Sequence, residues 1–209
     1  MIEGETKTMN LPNRLTVLRI LLAPVFVALI LSPGLPLHYF WALLVFAAAS
    51  ITDRLDGKIA RERNLITNFG KFLDPLADKI LVIFALACFV SLGLSNIWCL
   101  LIVVAREFMV TFIRLLAVEN GVVLAANNWG KTKTVSQIVA IVFILMFQSF
   151  NEILAVNGAF IQVGTFAGMS AFDLFVLAGN VLVWISTFFA VLSGGIYLKQ
   201  NFSVLRDEK

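Results

Sequence analysis

Four aspartates stand between two strongly apolar segments of the chain, where negative charge is unusual. Asp53 and Asp56 are three residues apart, and Gly70, Asp74 and Asp78 follow one another at intervals of four. On an α-helix, residues three or four apart lie on the same face. The sequence therefore predicts two acidic helix faces, one on each side of a short connection.

Carboxylates brought together at the edge of a membrane require a counter-charge. Two like charges about 4 Å apart repel by roughly 4 kcal/mol at an effective dielectric constant near 20. Carboxylate oxygens without histidine or thiolate neighbours favour Mg²⁺ or Mn²⁺. A single aspartate here would be interpreted as a solvated loop residue, but the set indicates one or two divalent ions between the helices. Gly57, Ala60 and Gly70 leave room beside them for a ligand such as a phosphate.

The composition indicates which elements carry these aspartates. Of the 209 residues, 60% are hydrophobic and 14% are charged, which indicates an integral membrane protein. A membrane-spanning helix needs about 20 residues, and the second and third apolar segments reach that length only if their helices include the aspartates. The predicted spans are residues 14–32, 38–61, 71–93, 96–118, 132–152 and 173–198.

The basic residues predict the orientation of these spans. Lys and Arg occur in the N-terminal segment, after the second and fourth spans and in the C-terminal tail, whereas the other connections carry none. Because basic loops stay in the cytosol, both termini and the aspartates are expected there.

The predicted fold is an all-α integral membrane bundle of six transmembrane helices, one domain over residues 1–209 in the cell (inner) membrane. Residues 1–9 are expected to be an interfacial or extra N-terminal segment.

At the aspartates the chain resembles the CDP-alcohol phosphotransferase family. Its signature is two aspartates separated by two residues, then glycine, alanine, arginine, glycine and two further aspartates at fixed gaps. The residues that fill these places are Asp53, Asp56, Gly57, Ala60, Arg61, Gly70, Asp74 and Asp78. The resemblance covers the chain from Met9 onward, and it implies a six-helix membrane bundle that joins a CDP-activated lipid to an acceptor alcohol and releases CMP.

Three other stretches resemble the branch of the family that uses glycerol 3-phosphate as acceptor. They are MNLPNRLTVLRILLAPVF, FGKFLDPLADK and AREFMVTFIRLLA followed by GKTKT. The resemblance therefore implies CDP-diacylglycerol and glycerol 3-phosphate as substrates. It also implies contact with membrane lipid, no nucleic acid and a homodimer.

The resemblance assigns roles to the signature residues. It implies that Asp53, Asp56, Asp74 and Asp78 bind two Mg²⁺ or Mn²⁺ ions and that Asp78 also acts as general base. The CDP-binding set that it implies is Asp53, Asp56, Gly57, Ala60, Arg61 and Gly70. Asn13 and Thr16 of the first helix are candidates to contact the nucleotide, although a helix-capping role fits them equally.

An acceptor that carries a phosphate needs its own cationic site. Arg106 and Arg114 occupy broadly one side of the fourth helix, and Lys131 and Lys133 open the fifth. Buried arginine in a membrane segment indicates function, and its guanidinium suits phosphate. These four cations are the predicted acceptor-phosphate site. Two alternatives stay open: Glu107 pairs with an arginine only to join helices, and Lys133 only marks the cytosolic helix end.

Three other functions remain compatible with the sequence. A sibling phosphotransferase would keep the aspartates and use inositol phosphate, serine or phosphatidylglycerol. An aspartate-rich prenyltransferase would also bind a diphosphate, but with a different aspartate spacing. A cation transporter would place its acids along a path and show internal duplication, which this sequence does not.

Overall fold

The computed structural model describes residues 11–62, 68–119, 128–156 and 170–202. Within these ranges only the backbone is described for residues 11–14, 53–62, 68–76, 78, 118–119, 128 and 171. The N-terminal segment 1–9, for which an interfacial position is predicted, lies outside the described residues.

The described part of the chain contains six α-helices. They are α1 (Leu11–Ile30), α2 (His38–Glu62), α3 (Asn68–Ser91), α4 (Ile97–Glu119), α5 (Asn128–Val156) and α6 (Ala171–Gln200). The shortest has 20 residues and the longest has 30. At about 1.5 Å per residue, each is about 30 Å long or longer. The six predicted helices are confirmed, with ends that differ by only a few residues.

The surface and the longest helices fit a membrane protein. The segments Trp129–Val156 and Phe172–Gln200 are long and apolar enough to cross a bilayer. Large apolar side chains also face outward, since Trp98 is 62% exposed and Phe108 and Phe188 are each 63% exposed. An outward apolar surface of this kind suits lipid better than water.

Small residues allow the helices of the bundle to pack closely. Ala23, Ala42, Ala49 and Ala85 are fully buried in the main core, which includes residues of all six helices. Small side chains let helix backbones approach each other in a membrane protein. The most extensive helix contacts are those of α5 with α6 and of α1 with α2, and α4 packs on α6.

The two acidic segments are helical, as the length argument predicts. Asp53 and Asp56 lie in α2, which continues to Glu62, and Asp74 and Asp78 lie in α3, which begins at Asn68. Among the described residues, α2 and α3 contact each other over a short stretch, whereas α1 packs extensively against both. The first helix therefore helps to hold the two signature helices in place.

Glu152 of α5 caps the far end of α2. Its Oε1 accepts a hydrogen bond from the His38 backbone N–H at 2.9 Å, and its Oε2 accepts one from the Tyr39 N–H at 3.2 Å. The first N–H groups of a helix have no partner within the helix. A carboxylate from another helix satisfies them here and fixes the start of α2 against α5.

Candidate active site

A cavity of about 570 Å³ opens beside the helix segments that carry the aspartates. Side chains from all six helices line it. Ser50 on its wall lies three residues before Asp53, and Lys79 directly follows Asp78. On both helices the described cavity lining therefore directly adjoins the signature segment.

Positive charge dominates the described lining of this cavity. Six of these residues are basic and one, Glu107, is acidic. The basic residues are Arg19, Lys79, Arg106, Arg114, Lys131 and Lys133. A cavity with such an excess of cations is suited to an anionic ligand.

Glu107 is the centre of the charged network on the cavity wall. Its Oε1 accepts a hydrogen bond from Arg106 Nη1 at 3.0 Å and another from Lys133 Nζ. Its Oε2 lies 4.0 Å from Lys79 Nζ. Helices α3, α4 and α5 are thus joined through one buried carboxylate, which cannot neutralise all three cations.

A serine and a glycine of α6 accommodate Arg106. Its Nη2 donates a hydrogen bond to Ser193 Oγ at 2.8 Å. A Cβ atom on Gly194 would lie 2.9 Å from Arg106 Cγ, so a larger residue there would push the arginine aside. The sequence of α6 therefore leaves the room that the arginine occupies.

Three buried donor atoms on the cavity wall have no hydrogen-bond partner in the structure as described. They are Arg106 Nε, Gln137 Nε2 and Tyr197 Oη. A buried polar atom without a partner is rare in folded proteins. Their position on the cavity wall makes these donors accessible to a molecule that occupies the cavity.

The structure brings together the four predicted acceptor-site cations, all of which line the cavity. Arg106 makes the ion pair with Glu107 that was the alternative interpretation, while its Nε stays available to a ligand. Lys133 is only 8% exposed and pairs with Glu107, so it does more than mark a helix end. Arg114 and Lys131 make no ion pair with the described residues, and the acceptor role of the four cations stays a prediction.

The nucleotide and metal residues are only partly described. Thr16 is buried, at 1% exposure, and does not line the cavity, although Arg19 one turn later does. The other predicted positions lie in described helix backbone, but their side chains and immediate surroundings are outside the described part of the structure. These are Asn13, Asp53, Asp56, Gly57, Ala60, Arg61, Gly70, Asp74 and Asp78.

Sequence reasoning missed several residues of the cavity wall, among them Arg19, Lys79, Gln137 and Tyr197. Arg19 carried a usable signal, because a basic residue inside an apolar membrane helix indicates function. Gln137 and Tyr197 carried none, since uncharged polar residues are ordinary in such helices. Only the structure shows that they reach the cavity.

Comparison with known proteins agrees with the signature. The profile of the CDP-alcohol phosphatidyltransferase family matches residues 9–192. A CDP-diacylglycerol–glycerol-3-phosphate 3-phosphatidyltransferase of Bacillus subtilis is 36% identical, over 94% of this chain and 97% of its own. A protein of the same name from Rickettsia bellii is 35% identical, over 91% of this chain and 94% of its own. A probable phosphatidylglycerophosphate synthase of Mycobacterium tuberculosis is 42% identical over 67% of this chain and 68% of its own.

Proposed function

The chain belongs to the CDP-alcohol phosphatidyltransferase family, and on that basis we propose that it makes phosphatidylglycerophosphate. It is a transferase of phospholipid synthesis that moves the phosphatidyl group of CDP-diacylglycerol to glycerol 3-phosphate and releases CMP. Two relatives that are similar over nearly their whole length are named as glycerol-3-phosphate phosphatidyltransferases, which supports glycerol 3-phosphate as the acceptor. The observation that carries the proposal is the cationic cavity beside the signature helices.

The cavity favours an acceptor that carries a phosphate. Arg106, Arg114, Lys131 and Lys133 line one space together, and arginine can contact a phosphate through two N–H groups at once. We assign this part of the cavity to the phosphate of glycerol 3-phosphate. Serine, a neutral zwitterion, would leave the excess positive charge uncompensated.

The signature residues suit divalent metal. Four carboxylates at helical spacing lie in α2 and α3, whose backbone is helical throughout both signature segments, and hard oxygen donors of this kind bind Mg²⁺ or Mn²⁺. Asp53, Asp56, Asp74 and Asp78 would hold two ions. When bound, the ions would neutralise the diphosphate and stabilise charge on the attacking and leaving oxygens.

The chain's own residues supply positioning and proton transfer. Asp78 takes the proton of the acceptor's primary hydroxyl, whose oxygen attacks the phosphorus attached to diacylglycerol. The bond from that phosphorus to the bridging oxygen of the diphosphate breaks, and CMP leaves with the electron pair. Gly57, Ala60, Arg61 and Gly70, with Asn13, would hold the cytidine and ribose. Positioning and charge stabilisation account for most catalysis of phosphoryl transfer.

The proposal includes a place in the membrane. All six described helices are long enough to span it, and in the sequence the basic connections alternate with connections that carry no Lys or Arg. We therefore expect six spans in the cell (inner) membrane with both termini and the active site facing the cytosol. A homodimer is also part of the proposal and rests on the family resemblance.

A transfer assay tests the function. Purified protein in detergent should release CMP from CDP-diacylglycerol only when glycerol 3-phosphate and Mg²⁺ or Mn²⁺ are both present.

The substitution Asp78→Asn should lower kcat at least about 100-fold in the same assay, since general bases typically contribute 10²–10⁴-fold.

Two results of that assay would contradict the proposal. Equal CMP release with inositol phosphate or serine would reassign the acceptor within the family. Full activity in the presence of a chelator would remove the divalent ions from the proposal.

A further inference from the structure

The unpartnered donors on the cavity wall identify two residues that the family signature does not include. Gln137 is 1% exposed and Tyr197 is 4% exposed, yet the Gln137 amide nitrogen and the Tyr197 hydroxyl have no hydrogen-bond partner among the described residues. Both residues line the cavity. Leaving a buried polar group without a partner is costly, so these groups are placed for a ligand and not for the stability of the empty fold.

Each of these groups lies one helical turn from the charged network. Gln137 follows Lys133 by four residues on α5, and Tyr197 follows Ser193, the partner of Arg106, by four residues on α6. Residues four apart lie on the same helix face, about one turn of 5.4 Å from each other. The two neutral groups therefore flank the cations on the same cavity wall.

The chemistry of these atoms restricts the ligand. Arg106 Nε and Gln137 Nε2 can only donate hydrogen bonds, and the Tyr197 hydroxyl can donate one. A phosphate ester offers acceptor oxygens in several directions and carries the negative charge that the surrounding cations favour. A ligand of this class therefore matches the chemistry of all three donors.

We propose that Gln137 and Tyr197 bind the phosphorylated acceptor and that their donors select a phosphate-bearing polyol over an uncharged one. This inference rests on the proposed function for the identity of the acceptor. Its own content is the role of two neutral side chains in acceptor binding. Neither residue takes part in proton transfer, so their contribution is to acceptor affinity.

Tyr197→Phe separates this role from a structural one. The ring, which packs with Val110 and Ile113, is kept, and only the hydroxyl is removed. We expect the KM for glycerol 3-phosphate to rise about tenfold, equivalent to about 1.4 kcal/mol, with the KM for CDP-diacylglycerol within twofold of the original. The thermal midpoint of the protein without substrate should stay equal or rise, because the hydroxyl has no partner there.

Gln137→Met, which keeps the length of the side chain and removes its amide, should act in the same way. The chain supplies matched controls. Tyr39 is the other of the two tyrosines in the chain, and it lies about 16 Å along α2 from Ser50 on the cavity wall. Gln148 lies about 16 Å along α5 from Gln137. Tyr39→Phe and Gln148→Met should leave the KM for glycerol 3-phosphate unchanged.

A binding measurement makes the test independent of turnover. Glycerol 3-phosphate, and inorganic phosphate at higher concentration, should raise the thermal midpoint of the original protein, and both test variants should lose most of that shift. Suppose that the unsubstituted protein releases CMP with glycerol 3-phosphate and that Tyr197→Phe and Gln137→Met leave the KM for glycerol 3-phosphate unchanged. The role of Gln137 and Tyr197 is then wrong, and the proposed function stands.

The reverse outcome is equally decisive. If no CMP appears with glycerol 3-phosphate, but inorganic phosphate stabilises the original protein and not the variants, the acceptor assignment fails and the inference stands. A fall in thermal midpoint together with equal increases in both KM values would show a structural role and overturn the inference.

Discussion

Glu107 is the only acidic side chain among the described residues that line the cavity. It accepts hydrogen bonds from Arg106 and Lys133 and lies near Lys79. The alternative that this glutamate joins helices and the hypothesis that the cations bind phosphate are therefore both compatible with the geometry. One carboxylate positions the cations, and their remaining charge is available to a ligand.

Glu107→Gln should lower the free energy of unfolding strongly. The substitution leaves buried cations without their counter-charge, and removing one partner of a buried ion pair typically costs 3–5 kcal/mol. Ser193→Ala removes a neutral partner of Arg106 and should cost only about 1 kcal/mol. Denaturant unfolding in detergent would measure both, and equal losses would contradict a special role for the carboxylate.

The sequence predicts charged site residues far better than neutral ones. Arg106 and Arg114 stand out because charge is rare in an apolar segment, and both line the cavity. Gln137 and Tyr197 do not stand out, and their significance depends on missing partners that only coordinates show. Arg19 is also a charged residue in an apolar segment, but it was not among the predicted site residues.

At the scale of elements, the length of a membrane crossing predicted the helices well. In the sequence, Asp53 ends the apolar run of α2 and Lys79 precedes that of α3, so only helices that include the aspartates reach the length of a membrane crossing. Both extensions are present. The packing of α1 against α2 and α3 was not predictable, because helix partners depend on the fit of side chains such as Phe26 and Phe46, which are both fully buried and in contact.

The Glu152 cap gives a prediction at the level of one helix. Glu152→Gln replaces the carboxylate that accepts hydrogen bonds from two backbone N–H groups of α2. Loss of a good cap typically lowers the free energy of unfolding by about 1 kcal/mol. We expect a lower thermal midpoint with kcat unchanged, because the cap at His38 lies about 18 Å along α2 from Ser50 on the cavity wall.

A matched control for this prediction lies in the first turn of α6. Asp173 is exposed and forms a capping box with Ser170 at the start of its own helix. Asp173→Asn should therefore have a smaller effect than Glu152→Gln, which disturbs a contact between two helices. A large fall in kcat for Glu152→Gln would show that the two ends of α2 are coupled.

At the scale of the whole molecule, the proposed topology can be tested by labelling. The two native cysteines, Cys88 and Cys99, are buried and at most 4% exposed, so they give little background. A membrane-impermeant maleimide should label Leu35→Cys, between α1 and α2, on intact spheroplasts. It should label Phe202→Cys only after the membrane is opened, and the reverse pattern would invert the proposed orientation.

The position of α1 has a consequence for how the protein is made. A ribosome completes this helix before either of the two acidic helices that pack against it. If α1, α2 and α3 span the membrane as proposed, each newly inserted helix meets a neighbour that is already in the bilayer, which lowers the entropic cost of bringing distant acidic segments together. A defect in the α1 surface would accordingly reduce the yield of assembled protein during synthesis, even where the finished enzyme tolerates the change.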